Sequence, residues 1–169
     1  MLIPLSTLRE ASRRAAQPQV RSLNEARSRG LPTVFMCHSH LDKVLVQGLV
    51  TLLDEAGWRA YVDWTDPEMP ASPNRETASR IDLKIRECDF FLFLATSNSM
   101  GSRWCPWEIG LAHGTKQNER IVICPTSEGS TTHGNEYLDL YRRLELSDLR
   151  QLAVWQPGDT RNGVLIAQL

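Results

Sequence analysis

Phe90-Phe91-Leu92-Phe93-Leu94-Ala95, followed after a short polar break by Ser102-Arg103-Trp104-Cys105-Pro106-Trp107-Glu108-Ile109-Gly110-Leu111-Ala112, is the part of the chain that decides the fold. A run this short, this apolar and this aromatic reads as a strand buried on both faces. Ser102 suits a helix cap and Pro106 is tolerated in a first turn, so a helix is expected to start near Arg103. Trp104, Glu108, Leu111 and Ala112 then share one face, which sets a carboxylate in an apolar and aromatic stripe. In open α/β sheets the start of a helix after a central strand borders the crevice where ligands bind. The competing reading is a solvated Glu108 that complements the positive helix N-terminus.

Working outward, Thr33-Val34-Phe35-Met36-Cys37 reads as the first buried strand. In His38-Ser39-His40-Leu41-Asp42, Ser39 and Asp42 have the spacing of a capping box ahead of a helix carrying Leu45, Leu49, Leu52, Leu53 and Ala56 on one face, with Gly57 as its stop. Arg59–Asp63 is a second strand. Trp64 to Asn74, with Pro67, Pro70 and Pro73, is a long loop, mobile by composition. Ala78, Ile81, Ile85 and Cys88 mark the helix that leads to Phe90. Ile121-Val122-Ile123-Cys124 is a fourth strand, Thr126 to Asn135 a polar loop, Tyr137 to Leu144 a short helix, and Leu152-Ala153-Val154-Trp155 a fifth strand. Strands alternating with helices imply an α/β fold, a flavodoxin-like doubly wound parallel sheet of about five strands. In that order the ends of the first and third strands meet at the switch point, and Ser39, the Trp64 loop and Glu108 converge on one crevice.

Residues 1–30 differ in character. Arg9, Arg13, Arg14, Arg21, Arg27 and Arg29 face only Glu10 and Glu25, and Leu5, Leu8 and Ala15 or Ala16 form a thin helical stripe that Pro18 interrupts. Such a composition also occurs in organelle transit peptides. A helical extension that docks on the domain of residues 31–169, or makes an oligomer contact, accounts better for the stripe. The 169 residues suffice for one domain with its own core, and 41% hydrophobic with 23% charged residues is ordinary for a globular protein. A net charge of −1 gives no electrostatic reason to expect nucleic acid or an anionic membrane as partner. No apolar stretch is long enough to span a bilayer. Cys37, Cys88, Cys105 and Cys124 lack paired metal-ligand spacing, so buried reduced thiols, a cytoplasmic location and no metal are expected.

Three blocks together resemble a known family. Val34-Phe35-Met36-Cys37-His38-Ser39-His40-Leu41-Asp42-Lys43, then Tyr61-Val62-Asp63-Trp64, then Ser102-Arg103-Trp104-Cys105-Pro106-Trp107-Glu108 resemble, in the same order, the bacterial TIR (Toll/interleukin-1 receptor) domains. The likeness covers about Thr33 to Leu146. The family's first block reads F-L-S-H-S-x-x-D; Cys37 replaces its first serine, while His38, Ser39 and Asp42 match. Its W-x-x-x-E element matches at Trp104 and Glu108. The resemblance implies that Glu108 cleaves the nicotinamide–ribose bond of NAD, a substrate rather than a resident cofactor. It also implies self-association through the 64–74 loop, whose sequence departs from the receptor-type pattern. A single domain of this kind is similar to the stand-alone signal makers of Thoeris-type antiphage systems, whose ADP-ribose-derived product switches on a separate effector protein.

The chemistry suits these residue types. Cleaving an N-glycosidic bond passes through an oxocarbenium-like state that one carboxylate, Glu108, can stabilise or capture. Trp104 or Trp64 offers a flat stacking surface for nicotinamide or adenine. Ser39, His38 and the N–H groups at the start of the adjoining helix can hold ribose or phosphate oxygens, and Asp63 can accept from ribose hydroxyls. Each residue also has a plainer role: Trp104 and Trp107 as core anchors, Ser39 as a cap, His38 as a structural hydrogen-bonder. A receiver domain is excluded, because Cys37 and His38 stand where its acidic pair is required. A TIR that serves only as an interaction module remains open, as does a nucleoside deoxyribosyltransferase-type enzyme, which also sets a glutamate in a flavodoxin-like crevice.

Overall fold

The apolar runs pair into one sheet whose strand order positions the site. The computed structural model describes residues 1–14, 22–134, 137 and 140–169. In chain order these form β1 (Ile3–Pro4), α1 (Leu5–Arg13), α2 (Leu23–Ser28), β2 (Thr33–Cys37), α3 (Lys43–Glu55), β3 (Arg59–Tyr61), α4 (Arg75–Glu87), β4 (Phe90–Leu94), α5 (Ser97–Met100), α6 (Trp104–Thr115), β5 (Ile121–Cys124), β6 (Thr126–Glu128), β7 (Thr131–His133), β8 (Arg142–Leu146), β9 (Leu152–Trp155) and β10 (Val164–Leu165). Strands β3, β2, β4, β5 and β8 lie side by side and parallel. Strands β9 and β10 continue the sheet antiparallel beyond β8. The parallel strands thus have the flavodoxin-like order, with the switch point between β2 and β4.

Residues of β2 and β4 are buried on both faces, and their period of two divides them between two core layers. Val34, Met36 and Leu92 pack with Leu8, Leu45 and Leu49 under α1 and α3. Phe35, Cys37, Phe91 and Phe93 pack with Ile81, Ile85, Cys105 and Ile109 under α4 and α6. Helix α3 stops where Gly57 takes φ +83°, a conformation other residues rarely adopt.

Several sequence expectations need correction. The five parallel strands are as expected, but the sheet also carries two antiparallel strands beyond them, seven in all. The fifth parallel strand is β8, whose first three residues fall in the span expected to be helical; Leu152–Trp155 is its antiparallel neighbour β9. Leu144 and Leu146 alternate with Arg143 and Glu145, a period of two, and β8 pairs with the otherwise open edge of β5. Of the expected helix only one turn is described, in which the Leu140 and Tyr141 N–H groups donate to the Tyr137 carbonyl; residues 138–139 lie outside the described residues. The Thr126–Asn135 loop contains the hairpin β6–β7, and β1 joins it as a parallel third strand.

The described part of the amino-terminal segment packs against the domain. Ile3, Leu5, Leu8 and Ala11 are buried, and the Met1 ammonium reaches Glu145 at 2.9 Å. Ala11 completes the stripe, whereas Ala15 and Ala16 lie outside the described residues. Each fully buried leucine or isoleucine contributes about 1.5–3 kcal/mol. The contact is close enough that a Cβ at Gly48 of α3 would stand 1.9 Å from the Leu8 carbonyl oxygen. In an open helix Gly→Ala gains about 1 kcal/mol. Here backbone must shift, at a cost of about 1–3 kcal/mol or more. Gly48→Ala is therefore expected to lower the melting temperature. A variant as stable as the parent, or more stable, contradicts this docking of α1 on α3.

Candidate functional site

The carboxyl ends of β2, β3 and β4 and the first two turns of α6 meet at the switch point of the sheet. Helix α6 begins where expected: the Ser102 hydroxyl accepts from the Trp104 and Cys105 N–H groups at 3.2 and 3.3 Å. Its buried face is Cys105, Glu108, Ile109 and Ala112, one position off the expected stripe, with Trp104 and Leu111 at its half-buried borders. The shift arises because Cys105, not Trp104, meets the end of β2: its thiol donates to the His38 carbonyl at 3.4 Å. Trp104 lies edge-on to Trp107, with ring centroids 5.5 Å apart.

Glu108 is only 7% exposed, which removes the solvated-cap reading. Burial pushes its carboxyl well above the ordinary value; a hydrogen bond donated by the Cys37 thiol opposes this, and Cys105 and the Asp63 charge raise it further. Among the described residues no lysine or arginine contributes to this shift. Cys37 is pushed up by burial and by donating to Cys105 and Glu108, and Cys105, as acceptor, is held low. Sequence reasoning missed this pair of thiols. The available signal was Cys105 three residues before Glu108, on the same helical face.

Ser39 accepts from the Leu41 N–H at 3.3 Å and caps a single 3-10 turn, His40–Asp42. The capping box with Asp42 does not form. Buried Asp42 instead accepts from the Thr96 hydroxyl at 2.5 Å and the Asn98 amide at 2.7 Å, joining the end of β2 to the start of α5. Asp63 accepts from the Trp64 N–H at 2.7 Å and pairs with His40 Nε2 at 2.8 Å. Burial drives Asp63 up, but His40, His38 and the Trp64 N–H outweigh it and hold the carboxyl low. His40 is raised by its bond to Asp63. His38 is buried; its Nδ1 lies 2.8 Å from the Met36 carbonyl and its ring meets Trp64 edge-on at 4.5 Å. The structure thus brings His38, Asp63 and Trp64 together, with His40 as an unforeseen member, and sets Asp63 close enough to act on Glu108.

The loop after β3 is more ordered than its prolines suggest. Asp63–Thr65 forms a 3-10 turn. Asp66 accepts from the Tyr61 hydroxyl at 2.7 Å and from Arg80 Nε at 2.9 Å, and Arg80 also holds Glu68. Burial works against the Asp66 carboxylate, yet Arg80, Tyr61 and the Glu68 N–H bring it down to about 2. Residues 71–74 remain exposed at the tip. Open clefts lie elsewhere, one lined by Arg27, Asp89 and Arg120 and another by Asp66, Arg80 and Lys84.

Glu108 yields a stability prediction. Its folded value is raised, so its stabilising contribution is complete below the unfolded glutamate value of about 4.3 and is lost as pH rises through the folded value. Glu108→Gln keeps the shape and removes the titration. Near neutral pH the variant is expected to melt at or above the wild-type temperature, with the gap closing as pH falls toward about 4.3. A variant that melts well below wild type near neutral pH, with no dependence on pH, contradicts the buried, cation-free environment.

Comparison with known proteins agrees with this architecture. The model of the TIR domain family matches residues 34–159. A Bacillus cereus (strain MSX-D12) protein described as a probable 3' cyclic ADP-D-ribose synthase, ThsB', is 34% identical over 111 residues, 64% of this chain. The match spans 58% of that relative's own length. The sheet order and the family match over residues 34–159 lead to one conclusion: the chain belongs to the TIR domain family.

Proposed function

We propose that this protein cleaves the nicotinamide–ribose bond of NAD and converts the ADP-ribosyl group into a cyclic or otherwise conjugated signal. The observation that carries this reading is a buried carboxylic acid, Glu108, with no lysine or arginine paired to it among the described residues, at the sheet's switch point. The relative from Bacillus cereus, named as a cyclic ADP-D-ribose synthase, supports the same direction.

A buried carboxylate without a cation is poorly solvated and favours a positive charge placed against it. NAD supplies one. The nicotinamide ring is cationic before cleavage, and the charge passes to the ribosyl carbon as the bond breaks. Glu108 follows this displacement and stabilises the oxocarbenium-like state. Ser39 is proposed to hold a ribose hydroxyl, and Trp104 or Trp64 to stack on a base. With Glu108 only 7% exposed, water has little access, so capture by a hydroxyl of the same ADP-ribosyl group competes well with hydrolysis. A diffusible product of this kind fits a Thoeris-type antiphage role in which a separate effector reads the signal. An interaction module has no need of a buried acid, and a deoxyribosyltransferase-type enzyme would process deoxynucleosides instead.

Glu108→Gln is expected to reduce nicotinamide release from NAD by at least about two orders of magnitude, the range for removing a charge-stabilising group. A variant that cleaves NAD at a comparable rate overturns the assignment.

The closed crevice also calls for an opening step. We assign it to the 64–74 loop meeting a neighbouring copy of the chain. Specific activity is then expected to rise with protein concentration, and Trp64→Ala to weaken assembly and turnover together. A rate strictly proportional to enzyme in a protein that stays monomeric with NAD bound contradicts this step.

A further inference from the structure

We propose that His38, His40 and Asp63 form a binding site for one divalent transition-metal ion of the zinc class. Ser39 is extended (φ −89°, ψ 138°), so the side chains on either side of it project the same way. The two imidazole rings stack with centroids 5.7 Å apart and planes 16° apart. Asp63, from the turn after β3, meets both: Oδ1 lies 3.4 Å from His38 Nε2 and Oδ2 lies 2.8 Å from His40 Nε2. The three candidate donor atoms all fall within 4.8 Å of one another. A tetrahedral ion with bonds of about 2.0–2.1 Å needs its donors about 3.3 Å apart, so small side-chain adjustments suffice.

The second observation is the state of His38. Its Nδ1 faces the Met36 carbonyl at 2.8 Å, and a carbonyl only accepts, so Nδ1 carries the hydrogen. In the neutral ring Nε2 is then a bare lone pair, the arrangement in which a backbone carbonyl orients a metal-binding histidine. The side chain is 2% exposed. Nε2 is the one buried side-chain nitrogen or oxygen without a hydrogen-bond partner among the described residues. It faces a carboxylate oxygen, which is also an acceptor. Two lone pairs 3.4 Å apart in a buried site are stabilised by a cation between them.

Two imidazole nitrogens and one carboxylate oxygen suit zinc, cobalt, nickel or copper, and not calcium or magnesium, which take oxygen sets. The Trp64 N–H donates to Asp63 Oδ1 at 2.7 Å and orients the carboxylate. His40 is 68% exposed and gives the ion a path from solvent, and three protein ligands leave one position open. The site stands on this geometry and does not depend on the NAD reading.

The test uses the full chain stripped with a chelator and titrated with zinc against a chromophoric competitor, with cobalt(II) as a spectroscopic probe. One zinc per chain is expected, with the strong visible band of four-coordinate cobalt. His40→Gln, at an exposed position, is expected to keep the fold and weaken zinc binding at least about 10–100-fold, the range for losing even an outer partner of a metal ligand. Asp63→Asn is expected to act in the same direction, while His133→Gln leaves binding unchanged. Absence of zinc binding in the wild type overturns the proposal. So does equal zinc affinity in the wild type and the folded His40→Gln protein, which would place the ion elsewhere.

Discussion

A carboxyl group held in the interior without a counter-ion is the constraint on which the site depends. Burying an isolated carboxylate costs several kcal/mol even after relaxation, so an ionised Glu108 lowers the stability of the fold. It is not neutralised by an arginine or lysine; its hydrogen bond comes from the weakly polar Cys37 thiol. On the proposed reading, a cation at this position would stabilise the carboxylate and cancel the role assigned to it, that of stabilising positive charge on a ligand. Two small sulfur side chains, Cys37 and Cys105, instead fill the space beside it with little polarity.

The scaffold around this group is correspondingly over-determined. Strands β2 and β4 are buried on both faces and pair from Val34–Phe90 to Cys37–Phe93, which places the strand end at Cys37 against the first turn of α6. Beyond β4, Thr96 and Ser99 form a reciprocal capping box, and Ser99 also donates to the Leu94 carbonyl at 2.7 Å. Asp42 then ties Thr96 and Asn98 to the turn after β2. Hydrogen bonds to a charged, buried acceptor are worth about 1.5–3 kcal/mol each. They hold the two crevice walls in register independently of the groups that meet a ligand.

Much of this was legible in the residues. The pure apolar runs at Thr33–Cys37, Phe90–Leu94 and Ile121–Cys124 have a single reading, and all three are central strands. Burial of Glu108 followed from its spacing on α6. The phase of that helix did not, because Trp104 outweighs Cys105 in any hydrophobic count although the cysteine is the residue that touches β2. Strand β8 was hidden because Arg142, Arg143 and Glu145 are polar; Arg143 is nevertheless buried, with Nε 3.0 Å from Glu145 Oε1. The partnership of His40 with Asp63 joins residues 23 positions apart, which no local pattern encodes. The role of Asp42 was misassigned for the same reason: its spacing from Ser39 fits a local cap, whereas its partners lie over 50 residues away.

The most direct measurement of the central claim is chromatography of purified protein incubated separately with NAD and with a deoxynucleoside paired with a free base. The account predicts one nicotinamide released for each NAD consumed, an ADP-ribose-derived product in equal amount, and no base exchange. Exchange of bases on the deoxynucleoside, or NAD left intact at protein concentrations that drive assembly, would contradict it.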